Sequence, residues 1–106
     1  MNEARLEAVP AMNFWRRETV NTLFLLMAQY NGLAVIPLDR VCQDYMNLTV
    51  EKFKRKQMAG EIDIPVTRLG PQSQKAGLGI HLQDLADYID RQRKRAEQER
   101  MQLAAR

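Results

Sequence analysis

From Thr19 onward the apolar positions keep a helical period. Leu23, Leu26, Met27 and Tyr30 recur at spacings of three and four, which places them on one face of a helix. Asn21 or Thr22 is positioned to cap its start. Asn31-Gly32 is positioned to end it, because Gly accepts the left-handed conformation a helix terminus needs. Phe24 and Leu25 make the segment apolar almost all round, so it belongs at the centre of the fold or against a partner chain. "AVI", Ala34 to Ile36, is a short β-like run that Pro37 stops. Leu38, Val41, Cys42 and Tyr45 then return to helical spacing as far as Met46. After a tight break at Asn47-Leu48, Thr49 opens another short helix. Its hydroxyl suits a cap, and Glu51 suits the positive end of the helix dipole. Val50, Phe53 and Gln57 share the inner face, and Gly60 ends the helix. Two short helices joined by a few residues make a helix-turn-helix outline.

The period changes after Gly60. In "EIDIPVTRLG", Glu61 to Gly70, the alternation of Ile62, Ile64, Val66 and, more weakly, Arg68 predicts a strand, and Pro65 makes it an edge strand or a bulge. "PQSQKAGLG" is a loop, and Ile80-His81 returns as a second short strand, so the two form a hairpin of the kind called a wing. Leu82, Leu85, Ala86, Ile89 and Gln92 mark the inner stripe of a last helix. Beyond Asp90 the sequence becomes "RQRKRAEQERMQLAAR", with Ala96 and Leu103 alone continuing that face, which reads as an exposed helical tail that frays. Residues 1–18 show no clear period and are interrupted by Pro10, although Phe14 and Trp15 offer apolar groups that could dock on the domain. The expected fold is therefore mainly α with a small β-hairpin. A flexible or partly helical extension covers 1–18, a winged helix-turn-helix domain with an N-terminal apolar helix and a C-terminal helix covers 19–92, and a basic helical tail covers 93–106.

Composition narrows the function. A chain of 106 residues suits one domain, and a core of that size leaves no room to bury a substrate cavity as well. Net charge is +3, which raises the odds of an acidic partner only slightly; where the charge sits matters more. A single cysteine, Cys42, excludes an intramolecular disulfide and fits a reducing, cytoplasmic setting. The longest apolar run, Leu23 to Ala28, is too short to span a bilayer and lies too deep in the chain for a secretory signal.

Enzyme chemistry finds little to work with. The chain has one histidine and one cysteine, and no Ser-His-Asp set, metal-ligand spacing or phosphate-cradling Gly loop, so no cofactor or metal is expected. His81 precedes a helix among apolar neighbours and reads as a capping or packing residue. Cys42 lies on an apolar stripe and reads as a buried structural thiol. Asp84, Asp87 and Asp90 are three apart on a helix and read most simply as a solvated face.

"LTVEKFKRKQMAGEI", Leu48 to Ile62, is different. With Phe53 turned to the core, Thr49, Glu51, Lys52 and Arg55, and to a lesser degree Lys54 and Lys56, belong to the outward side of a short helix after a turn. Such a helix reads bases with its first turns in the major groove: Lys and Arg donate to guanine or to phosphate, and Glu accepts from cytosine. A solvated helix with Glu–Lys pairing accounts for it on its own, but the turn before it and the wing after it favour duplex DNA. Arg68 and Lys75 fall on the wing strand and wing tip, where they would reach phosphates. Six basic residues against two acidic ones between Arg91 and Arg106 would add salt-sensitive affinity, or simply keep an exposed helix soluble.

"AQYNG", "VIPLDRVC", "AGEIDIPV" and "HLQDLADYID" together resemble the pyocin activator protein (PrtN) family over about Asn21 to Arg93. More distantly, the Gly-stopped helix, the strand and the "DL..Y" opening of the closing helix resemble excisionase and MerR-like winged helix-turn-helix proteins. The resemblance implies a bacterial, prophage-type transcriptional activator of bacteriocin genes, working at DNA in the cytoplasm in association with the nucleoid. RNA polymerase would be a second partner and a homodimer one arrangement, with the apolar first helix and the tail after Asp90 as alternative interfaces. An excisionase-like architectural protein that bends DNA, and a protein-interaction module without DNA, are the competing readings.

Overall fold

The computed structural model describes residues 18–71 and 77–105. The extension before Glu18, with Phe14 and Trp15, and the loop residue Lys75 lie outside these residues. In chain order the elements are α1 (Glu18–Gln29), β1 (Val35–Pro37), α2 (Leu38–Val41, continued by a π turn, Cys42–Met46), α3 (Val50–Met58), β2 (Thr67–Arg68), β3 (Leu78–His81) and α4 (Leu82–Ala104). The described part is thus mainly helical with one small antiparallel sheet of strand order β1-β3-β2.

Each helix starts and stops where local chemistry directs. Asn31 and Gly32 both take positive φ, 55° and 76°, and turn the chain out of α1. Asn47 is left-handed at φ 55°, a conformation Asn tolerates better than most residues. Its N–H bonds the Cys42 carbonyl five residues back at 2.8 Å, which widens the end of α2 into the π turn. At the end of α3 the Glu61 N–H reaches the Lys56 carbonyl at 2.9 Å and the Gly60 N–H reaches Gln57 at 3.1 Å, with Gly60 at φ 82°. This crossed pair satisfies the last carbonyls of the helix. His81 caps α4 as its neighbours suggest, Nδ1 accepting from the Gln83 N–H at 3.0 Å.

One core joins the elements: Leu26 of α1 and Tyr30 in the turn after it, Ile36 of β1, Leu38, Val41 and Cys42 from the α2 region, Phe53 of α3, Ile62 and Ile64, Ile80 of β3, and Leu82, Leu85 and Ala86 of α4. Tyr30 is 1% exposed, yet its hydroxyl donates to Asp44 Oδ2 at 2.7 Å while the Arg40 guanidinium lies 5.0 Å from its ring centre. Burial first, then the hydrogen bond to the Asp44 carboxylate, push this phenol well above its ordinary range, so it stays a donor. Tyr45 similarly donates to Gln29, tying the π turn to the end of α1. Cys42 is buried, and that burial, with Asp39 nearby, pushes its thiol up, away from the reactive thiolate.

Three features differ from the sequence pattern. Residues 61–66 alternate in burial, with Ile62 and Ile64 inside, but only Thr67–Arg68 joins the ladder. Pro65 has no N–H to contribute. The carbonyls of Asp63 and Ile64 are taken by side chains instead, Arg91 Nη2 at 2.6 Å and Gln57 Nε2 at 3.2 Å. Pro37 does not stop a strand but completes one: β1 is an edge strand, and Pro37 pairs with Gly79 across β3. Gly79 is fixed by that closeness, since a Cβ there would lie 2.5 Å from Val35 Cγ1 and 2.8 Å from the Ile36 carbonyl oxygen. Finally, Thr22 is not a cap. It lies inside α1 and donates through Oγ1 to Asp90 Oδ1 at 2.7 Å, so Asp90 helps dock α1 on α4 and is no part of a purely solvated face. α4 itself continues without a break to Ala104, exposed from Arg91 onward.

Candidate nucleic-acid interface

Only three residues, Asn47 to Thr49, separate the π turn from α3. Thr49 has extended backbone, and its Oγ1 accepts from the Lys52 N–H at 3.2 Å. That bond fixes the first turn of α3. Thr49→Ala should therefore lower stability by about 1 kcal/mol, read as a shifted urea midpoint at unchanged slope, while Thr49→Ser should keep most of it.

Phe53 is the buried residue of α3 and sets its rotation. With Phe53 inward and Val50 and Gln57 beside it, Lys52, Arg55, Lys56 and Ala59 fall on one outward stripe at spacings of three and four. These four, with Leu48 and Glu61, line an open concavity of about 540 Å³. Lys52, Arg55 and Lys56 are exposed, as are Thr49 and Glu51. Lys54 is half-buried and belongs with Glu51 and Met58 on the flank, so the structure separates it from the other three cations. Arg68 is exposed on β2, on a different element from the α3 stripe.

Lys56 is not wholly available. Its Nζ lies 3.2 Å from Glu61 Oε1, with both side chains about half exposed, so the pair contributes little to stability and leaves the lysine free to exchange partners. The pairing crosses the Gly60 turn, which no helical spacing rule anticipates. A second concavity of about 410 Å³ adjoins the first, with Leu48 lining both. It is mostly apolar, bounded by Tyr45, Met46, Ile62, Leu85, Tyr88 and Ile89 with Gln92 at its edge.

At the base of the tail, Arg91 is committed to the Asp63 carbonyl and stacks 5.9 Å from the Tyr88 ring centre. Further out, Arg95 bonds Gln92 at 2.7 Å and Arg100 bonds Glu97 at 2.6 Å. The hydrogen bond from Arg100, and then the Arg100 charge, hold the Glu97 carboxyl below its usual range. Of these contacts only Arg100–Glu97 joins opposite charges, so the exposed tail keeps a net positive charge.

The family comparison meets this geometry. The model of the pyocin activator protein PrtN family matches residues 22–96, from within α1 to the exposed part of α4. The chain belongs to the pyocin activator protein PrtN family. The match includes both short helices, the turn between them, the sheet and the docked part of α4. The PrtN family is defined by activation and is not an enzyme family. No curated protein and no solved structure matches the chain. No helix among the described residues is long and apolar enough to cross a membrane.

Proposed function

We propose that this protein is a sequence-specific DNA-binding transcriptional activator of pyocin or other prophage-type genes. In this reading α2, the Asn47–Thr49 turn and α3 are a helix-turn-helix, and the β2–β3 hairpin is its wing. Residues 19–92 act as the DNA-binding domain and 93–106 as a basic helical tail. The observation that carries the reading is the α3 stripe: Lys52, Arg55 and Lys56 share one outward face, on a helix anchored by Phe53 and capped by Thr49. Membership of an activator family supports transcription as the output.

The roles divide by position. Lys52 and Arg55, near the capped end, donate to base edges, with Glu51 accepting from cytosine. Thr49, Lys54, Lys56, Arg68 and Lys75 contact phosphates and set the docking register. RNA polymerase is the second partner, as activation requires. The work is done in the cytoplasm, at the nucleoid.

Genomic fragments selected on the immobilised protein and then titrated at several salt concentrations test this. We expect a defined subset of duplexes to be retained, and the logarithm of affinity to fall against the logarithm of salt with a slope of about −3 to −4, from roughly four phosphates neutralised by Lys54, Lys56, Arg68 and Lys75. Failure to shift any fragment at low salt would overturn the reading in favour of a protein-interaction module. Strong bending of the bound duplex without transcriptional activation would support the architectural role instead.

A further inference from the structure

The outer face of α1 has no part in the nucleic-acid reading. Steps of about 100° along α1 put Thr22, Leu23, Leu26 and Tyr30 on the side facing the core. Met27, Phe24, Ala28 and Leu25 then occupy one continuous arc on the opposite side. All four are exposed: Phe24 by 65%, Leu25 by 64% and Met27 by 45%, with Ala28 beside them. Three large apolar side chains standing this far out of one helix face present on the order of 300 to 400 Å², in the range that marks interaction sites on soluble proteins.

Charge limits what can cover this face. From Thr19 through Gln29 the helix carries no ionisable residue, in a chain that is 27% charged and has a net charge of +3. The other long exposed helical surfaces, α3 and the outer half of α4, are rich in Lys and Arg. Two copies meeting through those surfaces would oppose like charges. Meeting through Thr19 to Gln29 of α1, they would oppose none. The patch carries no acidic or basic group with which to select a charged partner. A second copy of itself, meeting it about a two-fold axis, supplies a matching apolar surface of the same size.

We infer that α1 is the interface of a symmetric homodimer, in which Phe24, Leu25, Met27 and Ala28 of one copy pack on the same residues of its partner. The apolar face of α1 is then satisfied on both sides, by its own core through Leu26 and Tyr30 and by the second copy through the opposite arc. The inference goes beyond the DNA-binding reading and stands on surface chemistry alone. Its consequence for that reading is that two α3 helices are presented together, which doubles the sequence one activator can specify. Removing roughly 700 Å² in total is small for a stable complex, so the dimer dissociates in the micromolar range without DNA.

Sedimentation velocity of the full chain over a concentration series, without DNA, tests this directly. The expected result is a monomer–dimer shift in the micromolar range. The double variant Phe24→Glu, Leu25→Glu should weaken association about tenfold or more. Because both side chains are exposed, its melting temperature should stay near that of the parent. Cysteine cross-linking locates the interface independently. Cys42 is buried, so Ala28→Cys introduces an accessible thiol without competition from it. That variant should form a disulfide-linked dimer on mild oxidation, whereas Met101→Cys, on the outer α4, should not. A chain that stays monomeric up to millimolar concentration, as it would if another part of the chain covered α1, overturns the proposal. So does a dimer that cross-links through Met101→Cys and not through Ala28→Cys. None of these outcomes involves DNA, so their failure and that of the DNA-binding reading are separately visible.

Discussion

Phe53→Ala is expected to lower the stability of the fold by about 3–5 kcal/mol. Phe53 is 0% exposed and is the buried residue of α3, packed in the same cluster as Val41, Ile62 and Leu85. A helix of nine residues cannot persist alone in water, so its contacts with the domain have to hold it. Val50 and Gln57 are only partly buried and would hold it weakly without the ring. Against a typical domain stability of roughly 5–15 kcal/mol, the loss is a large fraction. For a domain of this size it corresponds to a fall in melting temperature of roughly 15–30 °C, readable by far-ultraviolet circular dichroism. Phe53→Leu, which keeps most of the volume, should cost less than about 1.5 kcal/mol. The Ala variant should also lose nucleic-acid affinity, although no cation has been touched, because the Lys52–Arg55–Lys56 stripe is only a surface while α3 is docked. Melting within a few degrees of the parent would mean that something other than Phe53 sets the rotation of α3, and the assignment of its outward face would fall with it.

That rotation was legible in the sequence because it depends on neighbours three and four residues apart. Phe53 inside, Thr49 as cap, Gly60 as stop, His81 at the start of α4 and Cys42 in the core all follow from local period and local hydrogen bonding, and the structure places each of them so. The strand over Glu61 to Gly70 did not follow, for a physical reason. Alternation reports which side chains are buried, and Ile62 and Ile64 are indeed buried. It does not report whether the backbone finds a ladder partner. Here Arg91 and Gln57 side chains bond the carbonyls that a neighbouring strand would otherwise have met.

Long-range pairing escaped in the same way. Thr22 has the chemistry of a cap and Asp90 that of a solvated carboxylate, and only the docking of α1 on α4, across 68 residues, turns the two into partners. Pro37 has the chemistry of a strand breaker, but an edge strand needs hydrogen bonds on one side only, so β1 includes it. At the candidate site, spacing identified the cations but not their sorting. Lys52, Arg55 and Lys56 gather at one concavity, Lys54 is turned to the flank, and Glu61 reaches back over the Gly60 turn to Lys56. The apolar character of α1 all round was legible as well. The period put Met27 on the inner face with Leu23, Leu26 and Tyr30, but Met27 is 45% exposed and falls on the outer arc with Phe24 and Leu25.

Replacing Lys52 and Arg55 together by Ala should weaken binding to a retained duplex by between about thirty-fold and twenty-thousand-fold, since each donor to a base edge contributes about 1–3 kcal/mol. Both side chains are exposed and neither caps the helix, so stability should change by no more than about 0.5 kcal/mol and the effect can be assigned to contact, not to folding. How the loss is distributed separates two modes of reading. If the pair touches phosphates, the salt slope should become shallower by about two, and all duplexes should weaken alike. If it touches base edges, the slope should hold while the selected duplex falls toward the affinity of a random one. We expect the second pattern, because Lys52 is the residue whose N–H the Thr49 cap holds, and Arg55 follows one turn later on the same stripe. Lys56→Ala should cost less than either, because a lysine already 3.2 Å from Glu61 exchanges one partner for another on binding. A double variant that binds within twofold of the parent at the same salt would place the DNA contact on another face of the molecule.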